Sequence, residues 1–95
     1  MATIRRIVLD ILKPHEPSIL DLASLLGDLP GIEGVNILIY EIDRDVENAK
    51  ITIAGEDIPF ELVREVIIDN GGAIHSLDEV VAGKVIVEEA ATHQD

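Results

Sequence analysis

One rhythm occurs twice in the chain. An apolar helical stripe runs into a glycine stop and an apolar strand follows at once. It happens at Leu29-Pro30-Gly31-Ile32-Glu33-Gly34-Val35 and again at Asp69-Asn70-Gly71-Gly72-Ala73-Ile74. Proline cannot continue a helix, and glycine takes the left-handed conformation that closes one. A strand pattern also precedes each helix. The order is therefore strand–helix–strand–strand–helix–strand, two split β-α-β units. Such a pair closes an antiparallel sheet with both helices on one face, the ferredoxin-like α+β sandwich. Right-handed crossovers place the third strand between the first and second, and the fourth beside the first.

The elements follow from period and punctuation. Ile4 to Leu12 predicts a strand with Ile7, Leu9 and Ile11 on one face and Arg6, Val8, Asp10 and Leu12 on the other. Lys13-Pro14-His15-Glu16-Pro17 ends it, since proline cannot donate to a ladder. Ser18 is placed to cap the first helix, with stripe Ile19, Leu22, Ala23, Leu26 and Leu29. Gly34 to Asp43 predicts the second strand, with Val35, Ile37 and Ile39 opposite Asn36, Leu38, Tyr40 and Ile42. Asp43 to Asn48 reads as a polar turn, long for a tight hairpin. Lys50 to Ala54 is the third strand. Asp57 is expected to cap the second helix, with Pro59 in its first turn and stripe Phe60, Val63, Val66 and Ile67. Gly72 to Gly83 predicts a fourth strand with an oddly polar middle at His75, Ser76, Asp78 and Glu79. Lys84 to Glu89 predicts one more short strand, and Ala90 to Asp95 a frayed tail. Residues 1–95 read as a single domain, with the extra strand and tail over 84–95.

Charge narrows the function classes. Seven basic residues against nineteen acidic ones give a net charge of −12. That field repels phosphate backbones and anionic lipid surfaces, so neither nucleic acid nor membrane is expected as a partner. Tyr40 and Phe60 are the only aromatic residues, too few for a base-stacking platform. There is no cysteine, which removes disulfides, thiolate zinc sites and cysteine nucleophiles. No apolar run approaches the ~18 residues needed to cross a bilayer. A cytoplasmic protein is expected.

The candidate sites are polar groups at one end of the predicted sheet. Glu41, Asp43, Asp45 and Glu47 fall at alternate positions along a strand and into a turn. Clustered carboxylate oxygens suit a hard cation such as calcium or magnesium, so this is the first-choice metal site. His15, Glu16, His75, Asp78 and Glu79 are the second choice, since imidazole with carboxylate suits a softer divalent ion. The topology brings Lys13, His15 and Glu16 near His75 and Ser76, with the acidic turn expected some way off. Asp10 is expected to form an ion pair across the open sheet face with Arg6 or Lys50. No catalytic residues are assigned: Ser18, Ser24 and Ser76 lack a nucleophile-elbow setting, and Gly71-Gly72 is a helix stop, not a phosphate loop. No organic cofactor is indicated.

Three stretches carry a resemblance: Leu9-Asp10-Ile11-Leu12-Lys13-Pro14-His15-Glu16-Pro17-Ser18-Ile19, then Gly34-Val35-Asn36 with Glu41-Ile42-Asp43, then His75-Ser76-Leu77-Asp78-Glu79-Val80-Val81-Ala82-Gly83. Together they resemble a small archaeal family termed domain of unknown function 211. The resemblance implies a ferredoxin-like fold, a multimeric assembly and no established activity.

The first function expected is a non-enzymatic, oligomeric binding or regulatory module. It would take a divalent cation or an unidentified small ligand at an acidic end or subunit boundary. An enzyme using His15, His75 and carboxylates for acid–base or metal-assisted chemistry is the alternative, and a structural scaffold is a third. A concave apolar pocket holding both histidines would favour the enzyme; a shallow acidic surface would favour the module. Self-association into a symmetric dimer or ring is expected, with the C-terminal strand, Lys84 to Glu89, and the sheet face turned away from the helices at the interfaces. That face would carry Val8, Leu12, Leu38, Tyr40 and Ile42, a large apolar patch for a monomer.

Overall fold

The computed structural model describes residues 1–90. Its elements are β1 (Ile4–Pro14), α1 (Ile19–Gly27), β2 (Ile32–Ile42), β3 (Val46–Gly55), α2 (Phe60–Asp69) and β4 (Ala73–Ala82). The sheet order is β2-β3-β1-β4, with every neighbouring pair antiparallel. This is the ferredoxin-like arrangement.

The core forms where the strand period of two meets the two helical stripes. Ile7, Leu9 and Ile11 of β1 and Ala49, Ile51 and Ile53 of β3 are each at most 1% exposed. Over them lie Leu22 and Leu26 of α1 and Val63 and Ile67 of α2, all buried. Burying one such side chain contributes about 1.5–3 kcal/mol before its entropy cost. The Ser18 hydroxyl accepts from the Asp21 backbone N–H at 3.3 Å and caps α1 as expected. Asp57 does not cap α2: the N-cap position is Pro59, with no side-chain cap. No helix among the described residues is long and apolar enough to cross a membrane.

Two departures from the sequence reading bear on function. The turn between β2 and β3 is short, because Asn48 and Glu47 pair with Glu41 and Ile42 and continue the ladder. Only Asp43, Arg44 and Asp45 lie between the strands, and the Asp43 N–H donates to the Val46 carbonyl at 2.8 Å. The extra strand expected over 84–89 is absent. The chain bends after Ala82 and Lys84–Glu89 carries no ladder. Beyond Ala90, the expected tail lies outside the described residues.

β-Bulges explain the polar middle of β4. Ile11 pairs with Ile74, Leu9 with Leu77 and Ile7 with Val80, so the helix-side positions of β4 recur every three residues instead of two. Two register shifts absorb the difference, one at His75-Ser76 and one at Asp78-Glu79. Each leaves an extra residue on the bulged strand. His75-Ser76 then oppose Asp10, and Asp78-Glu79 oppose Val8, on the face away from the helices. In the β2–β3 pair, a shift between Ile39 and Glu41 sets Tyr40-Glu41 against Asn48 on that same open face. It also turns Ile42 over to the helix side, opposite Glu47, so Ile42 leaves the open-face set expected from simple alternation.

Candidate functional site

A hydrogen-bonded polar group lies where β1 ends. Lys13 continues the alternation of Ile7, Leu9 and Ile11, so its side chain leaves on the helix side and is only 2% exposed. A buried ammonium needs a charged partner and hydrogen-bond acceptors. Its Nζ donates to the Glu47 carboxylate at 2.8 Å and to the Pro14 carbonyl at 2.7 Å. Glu47 is its cross-strand partner on β3. The second Glu47 oxygen lies 3.0 Å from Nδ1 of His15, whose Nε2 lies 2.9 Å from the Arg44 carbonyl. A carboxylate and a carbonyl only accept, so for both contacts to be hydrogen bonds each ring nitrogen has to carry hydrogen, as in the imidazolium form. The Glu47 hydrogen bond, then that of the Arg44 carbonyl, accordingly raises the His15 pKa above its ordinary value. Hydrogen bonds from His15 and then Lys13 hold Glu47 below the usual carboxylate range.

The open sheet face has two halves. Toward β2 it exposes Leu38 at 58% and Tyr40 at 57%, among the polar Asn36, Glu41, Asn48 and Lys50, with Leu12 36% exposed beyond Asn48 on β1. Toward β4 it is charged. Arg6 donates from Nε to Glu79 at 2.9 Å and from its two terminal nitrogens to both oxygens of Glu88, at 2.6 and 3.0 Å. Hydrogen bonds to Glu88 and then Glu79 hold the guanidinium well above its ordinary pKa, and Arg6 in turn lowers that of Glu88. Its neighbour Arg5 donates to the carbonyls of Gly55, Gly83 and Lys84. Consecutive arginines thus hold the segment after β4 against the sheet. Beside them is a shallow cavity of about 620 Å³ lined by Val8, Asp10, Lys50, Asp78, Glu79 and Glu89.

The sequence-predicted residues are distributed differently from expectation. The acidic turn is not remote from His15: Glu47 and Arg44 both bond to it. Glu41 and Glu47 leave the hairpin on opposite faces because of the bulge at Tyr40-Glu41, and Glu47 is already engaged by Lys13 and His15. His75, Asp78 and Glu79 are on the open face, whereas His15 reaches the helix-side carboxylate of Glu47. Among the described residues, no group of three or more histidine, aspartate or glutamate side chains is placed to hold a metal ion. Lys50 does sit opposite Asp10, yet the ion pairs of this face run from Arg6 to Glu79 and Glu88.

Sequence reasoning missed Lys13 as a buried cation and Arg6 as a clamp. The first had a signal, since Lys13 and Glu47 share the parity of the core residues on their strands. Ending β1 two residues early and starting β3 four residues late hid it. The clamp had none, because Glu88 is 82 residues from Arg6.

A family model, described as uncharacterised ArCR and named DUF211, matches residues 5–95. An uncharacterised protein of Methanocaldococcus jannaschii is 59% identical over 95 residues, spanning 100% of this chain and 98% of that protein. With the fold and both histidine segments in place, the chain belongs to the archaeal DUF211 family.

Proposed function

We propose that the protein is a non-enzymatic homo-oligomeric module whose copies meet through the β2 half of the open sheet face. The observation that carries this reading is the exposure of Leu38 and Tyr40, 58% and 57%, on a sheet face that no helix covers. Water-facing sheet surfaces are ordinarily polar, so large apolar side chains exposed side by side on one suggest a contact surface. A second apolar stretch supports it: Val85 and Val87 are each 70% exposed, in a segment that Arg5 and Arg6 tie to the same sheet. Closed symmetry is the usual outcome of self-association, so a dimer or ring is expected. The shallow acidic cavity on this face contains neither His15 nor His75. It suits a small ligand at a subunit boundary better than acid–base chemistry, which needs a base within reach of a bound substrate.

Light-scattering mass at micromolar concentration tests the proposal on three proteins: the full chain, a chain ending at Gly83, and Leu38→Lys with Tyr40→Lys. The full chain is expected as an oligomer and the double variant as a folded monomer. A monomeric full chain refutes the reading. An oligomer that survives the double substitution removes the open face from it.

A further inference from the structure

We propose that His15 is a pH-operated clasp between the loop after β1 and the β2–β3 turn. Protonated, it holds Glu47 and the Arg44 carbonyl together; deprotonated, it must release one of them. The geometry is sufficient for this. The Nδ1 and Nε2 contacts, 3.0 and 2.9 Å, both face atoms that cannot donate. Neutral imidazole has only one N–H, so loss of the proton turns one contact into lone pair against lone pair. The ring is partly open to water, 42% exposed at the side chain, so the proton has a route out. The β1–β3 ladder joins these elements as far as Pro14 and Val46, and Lys13 bonds Glu47, but neither reaches the Arg44 carbonyl of the turn.

The charged groups around the ring set the direction. Glu47 on β3 faces it and favours the cation, as does the Arg44 carbonyl from the turn; Lys13 on β1 opposes it. Among the described residues, Glu16, Asp43 and Asp45 at this end make no ion pair with it. What the clasp controls is the three-residue turn, Asp43 to Asp45, which is exposed throughout. Closing it fixes the acidic turn to the loop after β1. Opening it frees the Arg44 carbonyl, so the Asp43 N–H bond to Val46, which closes the same turn, opens more often.

The test is an NMR titration of the full-length, 15N-labelled protein from acid to alkaline pH, with hydrogen exchange followed at the Asp43 amide. The His15 ring is expected to show both N–H protons below a midpoint that lies above the ordinary imidazole value of about 6.5. The Asp43 amide, corrected for intrinsic exchange, is expected to lose protection as pH rises through that midpoint. In His15→Gln the loss should no longer depend on pH in that range. A midpoint at or below the ordinary value overturns the proposal. So does turn protection that ignores the His15 midpoint, or an unchanged pH dependence in His15→Gln. Should the variant fail to fold, the wild-type ring and amide signals decide the matter alone.

Discussion

Lys13 is the residue on which the polar end of the sheet depends. An ammonium at 2% exposure is tolerable because Glu47 and the Pro14 carbonyl receive two of its three hydrogens. Glu47→Gln is expected to lower stability by about 2–3 kcal/mol, between the loss of a charge-assisted hydrogen bond and the breaking of a buried pair. Adding Lys13→Met should recover part of that loss, since no charge is then left buried without a partner; urea unfolding of the single and double variants measures both. The pH dependence has a definite sign. The His15 pKa is raised on folding, so its contribution is complete below the unfolded value of about 6.5 and is lost as pH rises through the folded value. The Glu47 pKa is lowered, so its contribution is complete above about 4.3 and is lost as pH falls through the folded value. The stability difference between wild type and His15→Gln should therefore be largest between roughly pH 4.3 and 6.5. A difference that grows above that window instead would contradict the assigned protonation.

At the scale of elements, the loops at the opposite end of the sheet are packed backbone to backbone. Gly31 has φ +84°, and its carbonyl accepts from the Glu56 N–H at 3.1 Å. A Cβ on Gly55 would come within 2.0 Å of that carbonyl oxygen, a contact that only backbone movement could relieve. Gly55→Ala is expected to cost about 3 kcal/mol or more, at the upper end for overpacking. Gly27, the last residue of α1, has nothing within 4 Å of such a Cβ. Gly27→Ala should stabilise by roughly 0.5 kcal/mol through helix propensity and a less flexible unfolded chain. Ser18→Ala removes the α1 cap and should cost about 1 kcal/mol. Denaturation midpoints of the three variants, compared at constant slope, check the ranking. Equal midpoints for the two glycine variants would mean that the loop contact is not tight.

Across the whole molecule, charge and apolar surface divide the work. The net charge of −12 works against phosphate-bearing partners, two aromatic residues are few for a base-stacking platform, and the two arginines of β1 are engaged. Fluorescence anisotropy with single- and double-stranded oligonucleotides near physiological salt should show no binding at micromolar protein. A micromolar dissociation constant would contradict this. The same charge opposes self-association at low ionic strength, so the proposed oligomer should tighten as salt is added. Sedimentation at low and high salt measures that, and weakening with salt would point to an interface built on ion pairs instead of Leu38 and Tyr40.

The local order of elements was legible in the sequence because it rests on short-range chemistry: period, proline, and glycine at helix ends. The helical stripes, the Ser18 cap, both glycine stops and the core positions of β1 and β3 all belong to that class. What tertiary structure decided was register. Whether Tyr40-Glu41, His75-Ser76 and Asp78-Glu79 form bulges depends on what the neighbouring strand presents, and each bulge changes which side chains share a face. Glu41 and Glu47 were separated in this way, and Ile42 left the open face. Lys13, His15 and Glu47 were joined for the same reason, since 34 residues separate Lys13 from the carboxylate that its burial requires. Periodicity reports the face of a residue within its own strand, whereas the partner on that face is chosen by pairing between strands distant in the chain.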